Sequence, residues 1–253
     1  MKTIGKQCLT FLKGFLVLNI IWLIFSYWMD TAVVPSPFKV YGNFITVFSD
    51  GIFLHIYYSL RRIFIGLALS LIIGLPTGIL MAYSEKANSF LYPLVYFGYP
   101  VPKTALLPIA MLLWGMRDGS KIAIIFFIIV FQVIVSVRDS VVNIDNSLYQ
   151  TVISSGGGRF QIIRHITLPA ILPQLFTSIR VSLGTAVSIL IFIEGYGTGY
   201  GMGYYILDAW SRINYIQMYM GILVISFVGF ALFVSADILI RSLCPWLKGN
   251  ELQ

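Results

Sequence analysis

Apolar runs long enough to cross a bilayer recur along this chain, separated by short polar punctuation. The first runs from Phe11 to Trp28. It is closed by Asp30 and by Pro35-Ser36-Pro37, which no helix passes through. Phe38 to Tyr58 mixes Lys39, Asp50 and His55 with aromatic residues, the composition of a segment lying at the membrane interface. Ile63 to Ser84 is free of charge, with Arg61-Arg62 before it and Glu85-Lys86 after it, and predicts a second span. Within it Gly66, Ser70, Gly74 and Gly78 put small residues on one helix face, where a second helix can approach closely. Asn88 to Met116 is apolar but contains Pro93, Pro100, Pro102 and Pro108, with Lys103 among them. Interior prolines remove backbone hydrogen bonds, and irregular backbone at membrane depth must be buried in protein or line a cavity. This third region is therefore expected to be broken and to line a pathway. Ile122 to Val137 predicts a short fourth span, with Lys121 and Arg138 snorkelling outward. Leu168 to Ile193 predicts the fifth, containing Arg180 and ending at Glu194. Ile213 to Ile240 predicts the sixth.

The sizeable polar interruption lies between the fourth and fifth spans. A connection of about 30 residues is long for a passive link. Ser140 to Ile153 has the apolar spacing of a helix, and Gly156-Gly157-Gly158 supplies its stop, since glycine accepts the left-handed conformation at a helix end. Phe160, Ile162, Ile163 and Ile166 then form a second short amphipathic stretch before Leu168-Pro169. Two helices meeting at a glycine turn make a compact projecting knob. The expected fold is all-α and integral to the membrane, with six transmembrane helices and this helical loop. Residues 1–58 hold the first span and the interfacial segment. Residues 59–243 form a five-helix core, including the loop at 140–167, and residues 244–253 form a tail.

Composition agrees. The chain is 58% hydrophobic and 11% charged, with a mean hydropathy of +0.87. Soluble domains carry about 25% charged residues, so this chain cannot clothe a water-facing surface. The net charge of +7 comes from dispersed residues with no basic-aromatic patch, which excludes a nucleic-acid reader and reports orientation instead. Six spans put both termini on one side. Lys2, Lys6, Lys13, Lys86, Arg138, Arg159, Arg164, Arg241 and Lys248 share the side of the large loop, against Lys39, Arg61, Arg62, Arg117, Lys121 and Arg212. That bias makes the loop and both ends cytoplasmic. Cys8 and Cys244 read as free thiols. The basic start, Met1 to Lys13, reads as an uncleaved first helix.

Catalytic and cofactor motifs are missing. There is no H-E-x-x-H, no G-x-S-x-G, and His55 and His165 lie far apart. The glycine-tyrosine alternation Gly195-Tyr196-Gly197-Thr198-Gly199-Tyr200-Gly201-Met202-Gly203 lacks the G-x-G-x-x-G spacing of a dinucleotide fingerprint. Gly115 to Lys121 lacks the spacing of a phosphate-binding loop. The chain itself is expected to hold no cofactor and no metal.

The loop resembles the coupling-loop signature of ABC importer permeases, in which E-A-A and a glycine precede I-x-x-x-x-x-x-x-L-P. Here Gly156 is followed by Leu168-Pro169. Ser59-Leu60-Arg61-Arg62 with Gly66, Gly74 and Gly78, and Pro102-Lys103-Thr104-Ala105-Leu106-Leu107-Pro108 before Trp114-Gly115, are similar to further elements of that family. So are Ser178-Ile179-Arg180 with Gly184, Ile193-Glu194, and Gly201-Met202-Gly203. The combination is closest to the nitrate, sulfonate and taurine branch. One departure stands out: the E-A-A positions are Gln150-Thr151-Val152, so the acidic residue is replaced by a neutral one that both accepts and donates hydrogen bonds.

The resemblance implies a homodimer in a bacterial or archaeal plasma membrane. Each copy would dock on a partner ATPase that binds ATP and Mg, and an external solute-binding protein would deliver the cargo. It makes Gln150, Gly156, Gly157, Gly158, Arg159, Phe160, Gln161, Leu168 and Pro169 the ATPase-coupling residues. Candidate pathway residues are Arg62, Pro102, Lys103, Pro108, Arg180, Glu194, Tyr196 and Tyr200. Arg180 sits about 16 Å past Pro169 along a helix, at a depth where an arginine faces an anion path or pairs with an acid on a neighbour. Arg61 and Arg62 either draw in anions or snorkel. Glu194 is expected to order the glycine-tyrosine loop. Basic residues near the pathway favour a small anion as cargo, while the tyrosines suit an aromatic or pyrimidine compound. A secondary transporter or channel uncoupled from ATP stands as the alternative.

Overall fold

The computed structural model describes residues 2–45 and 51–246, with side chains from residue 13 onward. Every regular element among them is helical. In chain order they are α1 (Lys2–Met29), α2 (Pro37–Gly42), α3 (Ile52–Tyr83), α4 (Glu85–Gly98), a 3₁₀ turn (Lys103–Leu106), α5 (Leu107–Trp114), α6 (Asp118–Val142), α7 (Asn146–Ser154), α8 (Arg159–Ile162), a π turn (Ile163–Thr167), α9 (Leu168–Glu194), α10 (Met202–Ser211) and α11 (Tyr215–Leu243).

Among the described residues four continuous helical stretches are long and apolar enough to cross a membrane: Ile52–Tyr83, Asp118–Val142, Arg159–Glu194 and Tyr215–Leu243. They contain the expected fourth and fifth spans, and all but one or two end residues of the second and sixth. The expected first span falls within α1, whose described apolar part is Lys13–Met29. The third region is broken, as its prolines require. Pro93 lies inside α4, Pro100 and Pro102 lie in the interruption, and Pro108 begins α5, where its missing N–H costs nothing.

Three boundaries differ from expectation. Helix α3 starts at Ile52, capped by Gly51 in the left-handed region (φ 76). His55 and the arginine pair therefore lie inside a 32-residue helix rather than before a shorter one, and the helix runs unbroken through Tyr58 and Ser59. Asp50 lies outside the described residues. Helix α6 starts at Asp118 and overruns to Val142, so a single loop helix from Ser140 to Ile153 does not form. Asn143 caps one helix and Asp145 starts the next. Leu168-Pro169 begin α9 without a break in the chain's helical path, because α8, the π turn and α9 form one continuous helical run, Arg159–Glu194. The π turn just before Pro169 absorbs its missing donor.

The core is organised on α3 and α6, which run parallel. A β-carbon on Gly66 would lie 2.5 Å from Ile125 Cγ2, one on Gly74 2.9 Å from Val133 Cγ1, and one on Gly78 2.8 Å from Val137 Cβ. Ser70 completes the stripe and donates to the Phe126 carbonyl across the contact at 3.1 Å. The small-residue face thus does what its spacing predicts: it brings two backbones together. Helix α9 packs on α6 and α11. Helix α1 lies against α11, with the Trp22 ring stacked on Tyr219 at 5.4 Å.

Candidate functional site

The parallel pairing of α3 with α6 divides the bundle into two ends. One carries Arg62, Asp118 and Glu194; the other carries Tyr83, Arg138 and the polar loop.

At the first end the structure gathers a buried charge knot. Glu194, the last residue of α9, is fully buried. Its carboxylate accepts from Arg62 Nη1 at 2.6 Å, from Ser59 at 2.8 and 3.0 Å, and from the Gly203 backbone N–H at 2.9 Å. Arg62, 2% exposed, turns its other nitrogens to Asp118 Oδ1 at 2.8 and 2.6 Å and also donates to the Tyr200 carbonyl at 2.8 Å. Ser59 accepts from the Met202 backbone N–H at 2.8 Å. The chain must pass tightly here, which is why Gly201 stands at φ 132. A β-carbon on it would meet the Glu194 carboxyl carbon at 2.5 Å and Arg62 Nη1 at 2.7 Å. Glu194 therefore orders the glycine-tyrosine loop, as its position implied.

Arg62 neither snorkels nor faces outward; it is the centre of the knot. Lys121, expected to snorkel, is also fully buried, with its ammonium on the Met116 carbonyl and Ser120. Four carboxylate and carbonyl partners are on hand nearby, and they offset the cost of desolvating these cations. Arg61 does stay half-exposed, 3.4 Å from Asp118.

The other pathway candidates scatter. Arg180 pairs with Asp237 of α11 at 3.0 Å, an acid that sequence reasoning passed over inside the sixth span. Lys103 bonds back to the Tyr99 carbonyl and lies 5.2 Å from the Phe131 ring centre. Pro102 and Pro108 are exposed on the broken segment, and Tyr196 is exposed in the glycine-tyrosine loop. The Tyr200 ring stacks on Tyr58 at 5.1 Å. The structure thus unites Arg62, Glu194 and Tyr200, and separates the rest from them.

At the opposite end α7 finishes on a two-bond glycine stop. The Gly156 N–H reaches the Ile153 carbonyl and the Gly157 N–H the Val152 carbonyl, both at 2.9 Å, with Gly156 at φ 78. Gly158 then starts α8, and the Gln161 side chain reaches back to accept its N–H at 2.7 Å. Four of the singled-out residues, Gly156, Gly157, Gly158 and Gln161, thus shape the turn. Gln150, Arg159 and Phe160 point away from it, Phe160 being 73% exposed. Leu148 and Ile153 add exposed apolar surface beside it.

The knob is bound to the bundle in two ways. Through α8 and the π turn it continues directly into α9. Through Tyr83, the last residue of α3, it is bonded sideways: the phenol sits 2.5 Å from buried Thr167 Oγ1 and 3.2 Å from the Tyr149 hydroxyl of α7. Burial and that tyrosine bond push the Tyr149 phenol above its ordinary range, so the link stays protonated. The signal for it was available: a tyrosine at a span's end opposite a tyrosine in the loop. Among the described residues no cluster of metal-binding side chains occurs.

Known proteins are similar to this chain in sequence and in fold. The chain is 28% identical over 219 residues to the taurine transport system permease protein TauC of Escherichia coli K12, covering 84% of this chain and 80% of that one. It is 28% identical over 255 residues to a putative aliphatic sulfonates transport permease protein, SsuC of Bacillus subtilis 168, covering 98% and 92%. To the formylaminopyrimidine transport permease protein ThiX of Halalkalibacterium halodurans it is 27% identical over 235 residues, covering 92% and 94%. The fold matches a chain of the inward-facing MetNI methionine ABC transporter at a TM-score of 0.66 and 20% identity, over 75% of this chain and 94% of that one. It also matches a chain of a bacterial alginate ABC transporter at 0.61 and 19%, over 96% and 97%. Residues 74–249 match the family described as the binding-protein-dependent transport system inner membrane component, and this chain belongs to that family.

Proposed function

We propose that the chain imports a small sulfonate- or taurine-type solute, driven by a separate ATP-hydrolysing subunit that docks on the glycine-jointed knob. The observation that carries this is the knob itself: an exposed Phe160 beside Leu148 and Ile153, on a turn stiffly continuous with the 36-residue run Arg159–Glu194. An apolar surface flanked by Gln150 replaces the acidic contact of related loops with packing and neutral hydrogen bonds. A push on the knob travels along one rod to the far end of the bundle, which suits rigid-body switching between two packings. ATP and Mg bind the partner. A second copy of this chain and an external solute-binding protein complete the complex, and the loop and both termini face the cytoplasm. The likeness to the formylaminopyrimidine permease over nearly both full lengths keeps a heteroaromatic cargo as a second reading.

Phe160→Asp tests the docking. Its side chain is free of the turn, so the variant folds and reaches the membrane, but ATP-driven uptake falls at least about tenfold and the ATPase no longer copurifies. Uptake at the parent rate with the partner still bound removes Phe160 from the docking surface. Gly157→Asp is a poorer test, because a β-carbon there would lie 2.9 Å from the Val152 carbonyl oxygen and break the turn before any docking is measured.

A further inference from the structure

Where α6 passes α9, a cleft of about 570 Å³ opens that neither the charge knot nor the knob uses. Gln132, Ser136 and Ser140 line it from α6, and Gln174, Thr177 and Ser178 from α9. The α6 residues recur every four positions and Thr177 and Ser178 lie three and four past Gln174, so two polar stripes face each other inside otherwise apolar helices. Polar groups in that setting are costly unless they are bonded, wetted or used.

Some are bonded. Ser140 donates to the Ser136 carbonyl at 2.6 Å, Thr177 to the Pro173 carbonyl at 3.0 Å, and Ser182 to Gln132 Oε1 at 3.0 Å. That last bond leaves the Gln132 amide N–H groups to the cleft. The side-chain hydroxyls of Ser136 and Ser178 are buried and have no hydrogen-bond partner among the described residues. Ser178 is only 6% exposed. Two orphaned hydroxyls on facing helices at the wall of one cleft point to a ligand not bound by the chain alone.

Charge narrows the ligand. No lysine, arginine or histidine lines the cleft. Asp139 does, and one of its oxygens is held by Arg138 at 2.7 Å. Arg180 and Lys103, the nearest cationic candidates by sequence, are turned to Asp237 and to the Tyr99 carbonyl. We infer that this cleft is a stretch of the solute's passage and holds a small polar solute of zero net charge, zwitterionic or neutral, through uncharged donors and acceptors. The inference rests on the import function and narrows its cargo to a zwitterion of the taurine type or a neutral heteroaromatic compound, setting aside a simple sulfonate anion.

The test uses the permease assembled with its ATPase in proteoliposomes, with Cys8 and Cys244 replaced by serine. Ser178→Cys in this background is expected to react with a water-soluble thiol reagent. Excess taurine or a neutral formylaminopyrimidine should slow the reaction, whereas ethanesulfonate and nitrate should not. An unreactive cysteine, or one that none of the four solutes protects, overturns the cleft as a passage. Protection by the anions alone overturns the charge assignment. In parallel, Ser136→Ala and Ser178→Ala remove hydroxyls that bond nothing in the bundle, so a purely structural role leaves uptake unchanged or improved. We expect uptake efficiency to fall about three- to tenfold for each, with ATP hydrolysis intact. If the unsubstituted complex shows no ATP-dependent uptake of any solute, the import function fails, and the labelling arm still decides the cleft.

Discussion

The two ends of this bundle are built on opposite principles. At the charge knot Glu194, Arg62, Ser59 and the Gly203 N–H satisfy one another out of contact with water, and Gly201 leaves no room for a β-carbon. At the knob the backbone turn is equally well bonded, but the side chains it presents, Gln150, Arg159 and Phe160, are exposed. One end is finished within the chain; the other presents exposed side chains, which the proposed function assigns to a partner. A lever needs this asymmetry: a fixed end where the helices are clamped together, and a free end where force is applied.

The comparison breaks most visibly at Glu194. Glu194→Ala leaves Arg62 with Asp118 and the Tyr200 carbonyl, and orphans the Gly203 N–H and the Ser59 O–H donor. Removing one partner of a buried pair costs about 3–5 kcal/mol, so the variant should lose most of its folded yield and melt at a much lower temperature in detergent. Phe160→Asp should leave that melting temperature where it was while removing uptake. If the two variants exchange their effects, the fixed and free ends have been assigned the wrong way round.

The link between the ends is sharper still. Tyr83→Phe removes the hydroxyl that joins α3 to Thr167 and Tyr149, and with it the short 2.5 Å contact of buried Thr167. The stability cost is about 1 kcal/mol. The functional effect is larger if the knob must move with α3: ATP hydrolysed per solute imported should rise several-fold while binding of the ATPase is unchanged. An unaltered ratio places the coupling in the α8–α9 rod alone.

How much of this was legible depended on whether a residue's partner was near in the pattern. The glycine stripe of α3 announced a helix contact, the triple glycine announced a stop, and the prolines announced a broken third span, because each acts through its own backbone. Lys121 and Arg62 misled for the converse reason. A cation at a span's edge snorkels unless carboxylates and carbonyls from other elements converge on it, and Asp118, Glu194 and the Met116 carbonyl are brought together only by folding. Asp237 was overlooked as a single acid in an apolar run, yet it decides where Arg180 points. The polar stripes of α6 and α9 are readable as four-residue repeats, Gln132-Ser136-Ser140 and Gln174-Ser178, but uncharged polar residues in apolar runs give a weaker signal than full charges.

The smallest expected effect separates the ends by solvent access. Asp145 caps α7 by accepting the Ser147 N–H at 2.8 Å, and that bond holds its carboxyl below the usual carboxylate range. A depressed folded pKa means the cap contributes above the unfolded value and is lost as pH falls through the folded one. Helix α7 should therefore loosen below about pH 4, read as increased mobility of a spin label on Ser154→Cys in a background otherwise free of cysteine. Asp145→Asn keeps a capping acceptor but does not titrate, so its mobility should stay flat across the same range. A parent protein that shows no acid-dependent loosening would mean the knob is held by Tyr83 and the π turn strongly enough that its own cap is redundant. The free end would then be free only in its side chains.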